Sequence, residues 1–266
     1  MNTLFLIVLC TLASGVLSVL AAGLFLALPA RQREAAMPHL VSFATGALLG
    51  AALLALIPHA VIGAGSERVH EVGIALIAGI ALFFVLEKFL LWRHCHDDHC
   101  DEHAVDDTHG HRHAQARQKA SGSLVLIGDA LHNVLDGVLI AAAFLTDPHL
   151  GIVTTVAIAA HEIPQEVGNF AVLLHSGISR GRALALNLLT SLTAVIGGVV
   201  GFFALQTALA ALPFALAVAA ASLLYVAVAD LIPGLHRRVD PRSSITQVLL
   251  IGCGIAIIAF AENHAH

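Results

Sequence analysis

Two stretches of the chain gather side chains able to hold a divalent cation. The first, residues 128–137, reads GDALHNVLDG. Asp129, His132 and Asp136 are spaced by three and four residues, so a helix would place them on one face, with Asn133 beside them. The second, residues 160–170, reads AHEIPQEVGNF. There His161 and Gln165 form one i,i+4 pair, and Glu162 and Glu166 form another. Imidazole together with carboxylate suits Zn2+ or Fe2+, whereas an all-oxygen set suits Mg2+ or Ca2+. The candidate metal ligands are therefore His132, Asn133, Asp136, His161, Glu162, Gln165 and Glu166. Two other readings use the same residue types. One is a buried hydrogen-bonded network joining two helices; the other is a proton relay, which does not require ligand spacing. Pro164 also removes one helical hydrogen bond and frees a carbonyl near Ala160, which at membrane depth needs a partner.

Both stretches sit inside long apolar runs, and those runs must position them. The chain has 266 residues, 58% hydrophobic and 12% charged. Soluble domains carry about 25% charged residues, and about 20 apolar residues span a bilayer as a helix. Runs at 3–28, 38–62 (opened by Pro38), 71–92, 123–146, 150–176, 183–206, 212–234 and 243–261 predict eight transmembrane helices. Gln206, Thr207 and Pro213 mark the break between the sixth and seventh. Gly46 and Gly50 have the small-xxx-small spacing of close helix contacts, and the glycines near 197–201 and 252–254 suit close packing or flexibility. Cys10 and Cys253 read as buried thiols. The fold class is thus an all-α polytopic membrane protein, divided into helices one to three (1–92), a His-rich segment (93–122) and helices four to eight (123–266).

An ionisable group at bilayer depth is costly and marks function by default, so the fourth and fifth spans carry the chemistry. Basic residues set the orientation. Arg31, Arg33, Arg93, Arg112, Arg117, Lys119, Arg180, Arg182, Arg237, Arg238 and Arg242 fall on one side with Lys88 nearby, and Arg68 on the other. The basic side is read as cytoplasmic and both termini as outside, in the plasma (inner) membrane. His59, Asp129 and Asp230 are candidates for the path by which an ion reaches or leaves the centre. On the cytoplasmic side, residues 94–113 hold seven His, two Cys and six acids. This composition reads as disordered and dense in ligands: His94, Cys95, His96, His99, Cys100, His103, His109, His111 and His113 form a candidate metal sink or sensor, a solvated linker being the alternative. For Cys95 and Cys100 metal binding competes with a disulfide.

At these residues the sequence resembles the ZIP family of divalent metal transporters. HNVLDG is similar to the family's fourth-span motif H-N-x-x-[DE]-G. HEIPQEVGNFAVLL is similar to the fifth-span motif of the subgroup written H-E-x-P-H-E-x-G-D-F-A-x-L-L. LIPHA, FFVLEKFL and LLYVAVADLIP resemble that subgroup's second, third and seventh spans. The resemblance implies one metal site of His132, Asp136, His161 and Gln165, and a neighbouring one of Asn133, Glu162 and Gln165. It also implies inward transport of Zn2+ (with Fe2+, Mn2+ and Cd2+ left open), a homodimer, and an elevator-like motion of spans one, four, five and six against the rest. Three positions depart from the pattern. Gln165 stands where the subgroup has His, Asn169 where it has Asp, and the sixth span offers only Asn187 and Ser191 where some members place Glu.

An intramembrane metalloprotease would need H-E-x-x-H on a helix, and Gln165 replaces its second His, so an enzyme is not expected. A metal efflux exchanger fits His132-x-x-x-Asp136 alone, and a metal-sensing receptor without transport fits the same ligands. The expected partners are a divalent metal ion, the lipid bilayer and a second copy of the chain; no nucleic acid is expected.

Overall fold

Local capping chemistry sets the helix ends that apolar runs leave vague. The computed structural model describes residues 2–95, 110–236 and 241–263, and all regular structure among them is helical. Helix α1 (Thr3–Ala27) starts on Asn2, whose side chain accepts the otherwise unpaired Leu4 N–H at 3.1 Å. The others are α2 (Ala30–Ala64), α3 (Val69–Cys95), α4 (Gly110–Thr146), α5 (Pro148–His175), α6 (Arg180–Gln206), α7 (Leu209–Leu235) and α8 (Pro241–Asn263). The hairpin between α4 and α5 is fixed by Asp147, whose carboxylate accepts the His149 and Leu150 N–H groups at 2.8 and 3.1 Å, and by Pro148 at the first helical position. Beyond α5, Gly177 takes φ +79°, the left-handed turn that stops a helix.

Several boundaries differ from those read off the apolar runs. Pro38 lies inside α2 and does not open it, because the preceding residues 30–37, rich in Ala, Gln, Arg and Glu, are good helix formers without being apolar. For the same reason α4 begins at Gly110 instead of 123, and α3 continues to Cys95. His94, Cys95, His111 and His113 thus fall within helices, while His96, His99, Cys100, His103 and His109 lie outside the described residues. The sixth span is two helices, Arg180–Ser191 and Thr193–Gln206. At the break the Thr193 hydroxyl reaches the Thr190 carbonyl at 2.6 Å and the Ala130 carbonyl on α4 at 2.8 Å, side-chain bonding that bends helices. Cys253 is exposed on the surface of α8 and not buried; Cys10 is half-buried.

Two π-helical turns were not anticipated. One occupies Ala51–Leu56 in α2, the other Val226–Leu231 in α7, and each is closed by the N–H of the Ile in a Leu-Ile-Pro sequence, Ile57 to the Ala52 carbonyl and Ile232 to that of Ala227. The proline that follows, Pro58 or Pro233, has no N–H to continue the regular ladder.

Among the described residues, seven helical segments are long and apolar enough to cross a membrane. The exception is α5, 28 residues long, whose middle is diluted by His161, Glu162, Gln165, Glu166 and Asn169. It is nonetheless among the most enclosed helices, touching α1, α2, α4, α6 and α8. Large apolar side chains instead cover the outside, Leu17, Leu24, Ile74, Ile77 and Val248 among them, an arrangement suited to lipid and a liability in water.

The helices pack as two groups of four. One comprises α1, α4, α5 and α6, the other α2, α3, α7 and α8, and the groups meet mainly where α2 crosses α5. Glycine contacts follow the same division. A Cβ on Gly137 of α4 would lie 1.9 Å from the Ala194 carbonyl oxygen of α6, and one on Gly46 of α2 would lie 2.1 Å from that of Ile251 on α8. Each glycine whose absent Cβ leaves a neighbouring helix within 4 Å faces a helix of its own group.

Candidate metal centre

Because α4 and α5 form an antiparallel hairpin about Asp147, residues equally far from it share a depth. His132 and Glu162 are each fifteen residues away (147 − 132 and 162 − 147), Asp136 is eleven and His161 fourteen. Their side chains converge. His132 Nε2 lies 3.2 Å from His161 Nε2, 3.6 Å from Asp136 Oδ2 and 3.9 Å from Glu162 Oε1, and His161 Nε2 lies 3.4 Å from Asp136 Oδ2. One ligand atom from each of the four residues lies within 4.8 Å of all the others. A tetrahedral Zn2+ with bonds of about 2.1 Å needs ligand atoms about 3.4 Å apart, and the measured separations bracket that edge.

Hydrogen bonding favours a cation over a self-satisfied network. His161 Nδ1 lies 3.4 Å from the Ala157 carbonyl. Donation there leaves Nε2 as a lone-pair acceptor aimed into the centre. Two neutral imidazole nitrogens and two carboxylates supply too few donors among themselves, and Asp136 Oδ2 and both Glu162 oxygens have no hydrogen-bond partner. Desolvated, unpaired carboxylate oxygens are costly, and a divalent ion among them removes that cost. Asp136, His161 and Glu162 are at most 3% exposed, whereas His132 is 20% exposed, so the centre opens past His132. Around it, Pro164 continues α5 without ending it, and the Ser18 hydroxyl of α1 donates to the Ala159 carbonyl at 3.4 Å, next to the bond that Pro164 removes.

The remaining candidates fall elsewhere. Gln165 donates to Asp129 Oδ1 at 3.3 Å and Asn169 does so at 2.6 Å, so Gln165 faces Asp129, and the fourth group of the centre is Glu162. Asn133 is buried but donates to the Asp129 backbone carbonyl at 3.0 Å. Glu166 is fully buried one turn beyond Glu162. The family resemblance implies Glu162 for the neighbouring site; its match in depth to His132 follows from the Asp147 hairpin. A Gln165→Ala variant is expected to shift Zn2+ affinity by less than about tenfold, below 1.4 kcal/mol, in a chelator-competition titration; a larger loss would make Gln165 a ligand.

The path candidates are also placed. His59 lies beside Glu262 of α8, Nδ1 to Oε1 3.6 Å, a partner that the sequence did not suggest. Asp230 lies in the π turn of α7, exposed, within electrostatic reach of Glu87, His132 and His161. Nearby, the Tyr225 hydroxyl of α7 donates to Glu87 of α3.

The chain is similar to known transport proteins over most of its length. The profile of the family described as ZIP Zinc transporter matches residues 91–262. Zinc transporter ZIP13 of Homo sapiens is 33% identical over 262 residues, covering 84% of this chain and 70% of the relative. The Pongo abelii ZIP13 is 33% identical over 240 residues, with 84% and 66% covered. Zinc transporter YKE4 of Saccharomyces cerevisiae is 29% identical over 248 residues, with 85% and 70% covered. The chain thus spans about two thirds of the length of these relatives. With its multi-pass helical architecture and the family profile covering most of its length, the chain belongs to the ZIP zinc transporter family.

Proposed function

We propose that this protein moves divalent metal ions, foremost Zn2+, across the membrane through the centre formed by His132, Asp136, His161 and Glu162, toward the side bearing the Arg-rich connections. The observation that carries this reading is the convergence of two imidazoles and two carboxylates within 4.8 Å of one another on α4 and α5, with Asp136, His161 and Glu162 buried. The basic side is taken as the cytoplasm of a cell whose plasma (inner) membrane holds the protein as a homodimer.

A site at membrane depth must open alternately to each side. All four ligands belong to the α1/α4/α5/α6 group, so that group can carry the ion past α2/α3/α7/α8 without breaking the ligand set. The glycine contacts support this. Backbones locked by close approach cannot slide, and those contacts lie within the groups and not between them.

Purified protein in vesicles enclosing a zinc-sensitive dye tests the reading. Zn2+ is expected to enter vesicles oriented with the Arg-rich face inward, and His132→Ala to reduce the rate at least about 30-fold, about 2 kcal/mol. Absence of flux, or a His132→Ala rate equal to wild type, would sink it; flux only in the opposite direction would make the protein an exporter.

A further inference from the structure

The Asp147 hairpin holds α4 and α5 together on one side of the centre, by its cap and by the packing of Gly151 against the Phe144 ring. A second set of bonds ties the same two helices on the other side. Asp129 and Gln165 are each eighteen residues from Asp147 (147 − 129 and 165 − 147), against fifteen for His132 and Glu162. At 1.5 Å per residue they lie about 4–5 Å further along the hairpin. Asn169 follows Gln165 by four residues and shares its face of α5. Both amides converge on one oxygen: Gln165 donates to Asp129 Oδ1 at 3.3 Å and Asn169 does so at 2.6 Å. Asp129 is 4% exposed, so water competes little for these bonds, and a hydrogen bond to a desolvated carboxylate is among the stronger kinds. The centre is thus bracketed by a turn on one side and by paired amides on the other.

The bracket bears on which α5 side chain completes the centre. His161 and Gln165 stand at i,i+4, so periodicity alone would stack Gln165 behind His161, facing the paired imidazoles. Glu162 is one residue from His161, about 100° around the helix. The rotation of α5 about its axis chooses between them. In the structure the Gln165 amide is held on Asp129, and Glu162 Oε1 lies 3.9 Å from His132 Nε2. Asn169 makes the shorter bond to Asp129. It lies eight residues, about 12 Å along α5, from His161, beyond the reach of a ligand.

We propose that Asn169 is a positioning residue for the metal centre: its bond to Asp129 holds the rotation of α5 against α4 at which Glu162, and not Gln165, completes the ligand set. This rests on the transport reading above, through the same four ligands. Asp129 then serves as the acceptor of a clamp and not as a stop on the ion's route. Gln165, at the longer distance, adds to the clamp without being essential to it.

Three full-length variants test the clamp, read by chelator competition for Zn2+ and by the visible spectrum of Co2+, whose bands report the coordination geometry of a zinc site. Asn169→Leu removes the donor at similar size. It is expected to lower Zn2+ affinity at least tenfold and to change the Co2+ bands. Asp129→Asn keeps the acceptor oxygen and removes the charge; affinity should change less than threefold, with the bands retained. Asp129→Asn/Asn169→Asp exchanges donor and acceptor, and should likewise bind within threefold of wild type. The exchanged pair decides alone where Asn169→Leu fails to assemble. Asn169→Leu that binds like wild type, an exchanged pair that does not bind within threefold of wild type, or Asp129→Asn that loses tenfold by itself overturns the clamp. Each of these leaves the transport reading standing, because wild-type Zn2+ binding and uptake are measured alongside. Wild-type protein that binds no Zn2+ overturns both.

Discussion

Asp136→Asn is expected to abolish high-affinity Zn2+ binding while leaving the metal-free protein as stable as wild type or more so. The two effects have opposite signs for one reason. Asp136 is 2% exposed, its Oδ2 has no hydrogen-bond donor, and it lies 3.4 and 3.6 Å from the two imidazole nitrogens. Without a cation it is a desolvated charge that weakens the fold; with one, it is a ligand. The neutral amide keeps the volume and removes the charge. Loss of one of four ligands should cost about 100-fold in affinity, about 2.7 kcal/mol. Thermal unfolding measures both terms. Wild type should gain about 2.7 kcal/mol when free Zn2+ reaches about 100 times the Kd. The variant should gain only about 0.4 kcal/mol at the same concentration. A variant that is less stable without metal, yet equally stabilised by Zn2+, would mean that Asp136 is structural.

Gly137→Ala is expected to be more damaging to assembly than any change at the ligands. The added Cβ would sit 1.9 Å from the Ala194 carbonyl oxygen and 2.6 Å from the Gly198 nitrogen. Both obstacles are backbone, so no side-chain rotation relieves them, and α4 must move away from α6. Overpacking of this kind costs about 1–3 kcal/mol or more. It also displaces Asp136, the preceding residue, from the centre. Gly73→Ala on α3 is the control, because a Cβ there meets nothing within 4 Å, and alanine is the better helix former. Size-exclusion profiles and unfolding temperatures should therefore fall for Gly137→Ala and hold or rise for Gly73→Ala. Equal behaviour would show that α4 and α6 are not tightly apposed.

The candidate ligands were legible because helical periodicity converts spacing into position. His132 and Asp136 share a face whatever surrounds them, and His161 and Glu162 stand near the middle of an apolar run. The Leu-Ile-Pro sequences of α2 and α7 contain the reason for their π turns, a proline without an N–H, but periodicity assigns no register to such a turn. The helical extensions at 30–37 and 110–122 were missed because hydropathy reports burial in lipid, whereas helix formation needs only compatible backbone and side-chain propensities.

Amino-acid sequence by itself determined that two helices bring imidazole and carboxylate to bilayer depth, since that follows from residue type, run length and a period of about 3.6 residues. Which atoms meet was decided only in three dimensions. Gln165 and Glu162 are three residues apart on α5, yet one faces Asp129 and the other the paired imidazoles. The difference depends on the rotation of α5 against α4, set by packing at Gly151 against Phe144 and at the Asp147 cap. The division into two four-helix groups was likewise implied only by family resemblance; the glycine contacts that fix it join residues more than fifty positions apart, Gly137 with Ala194 and Gly46 with Ile251.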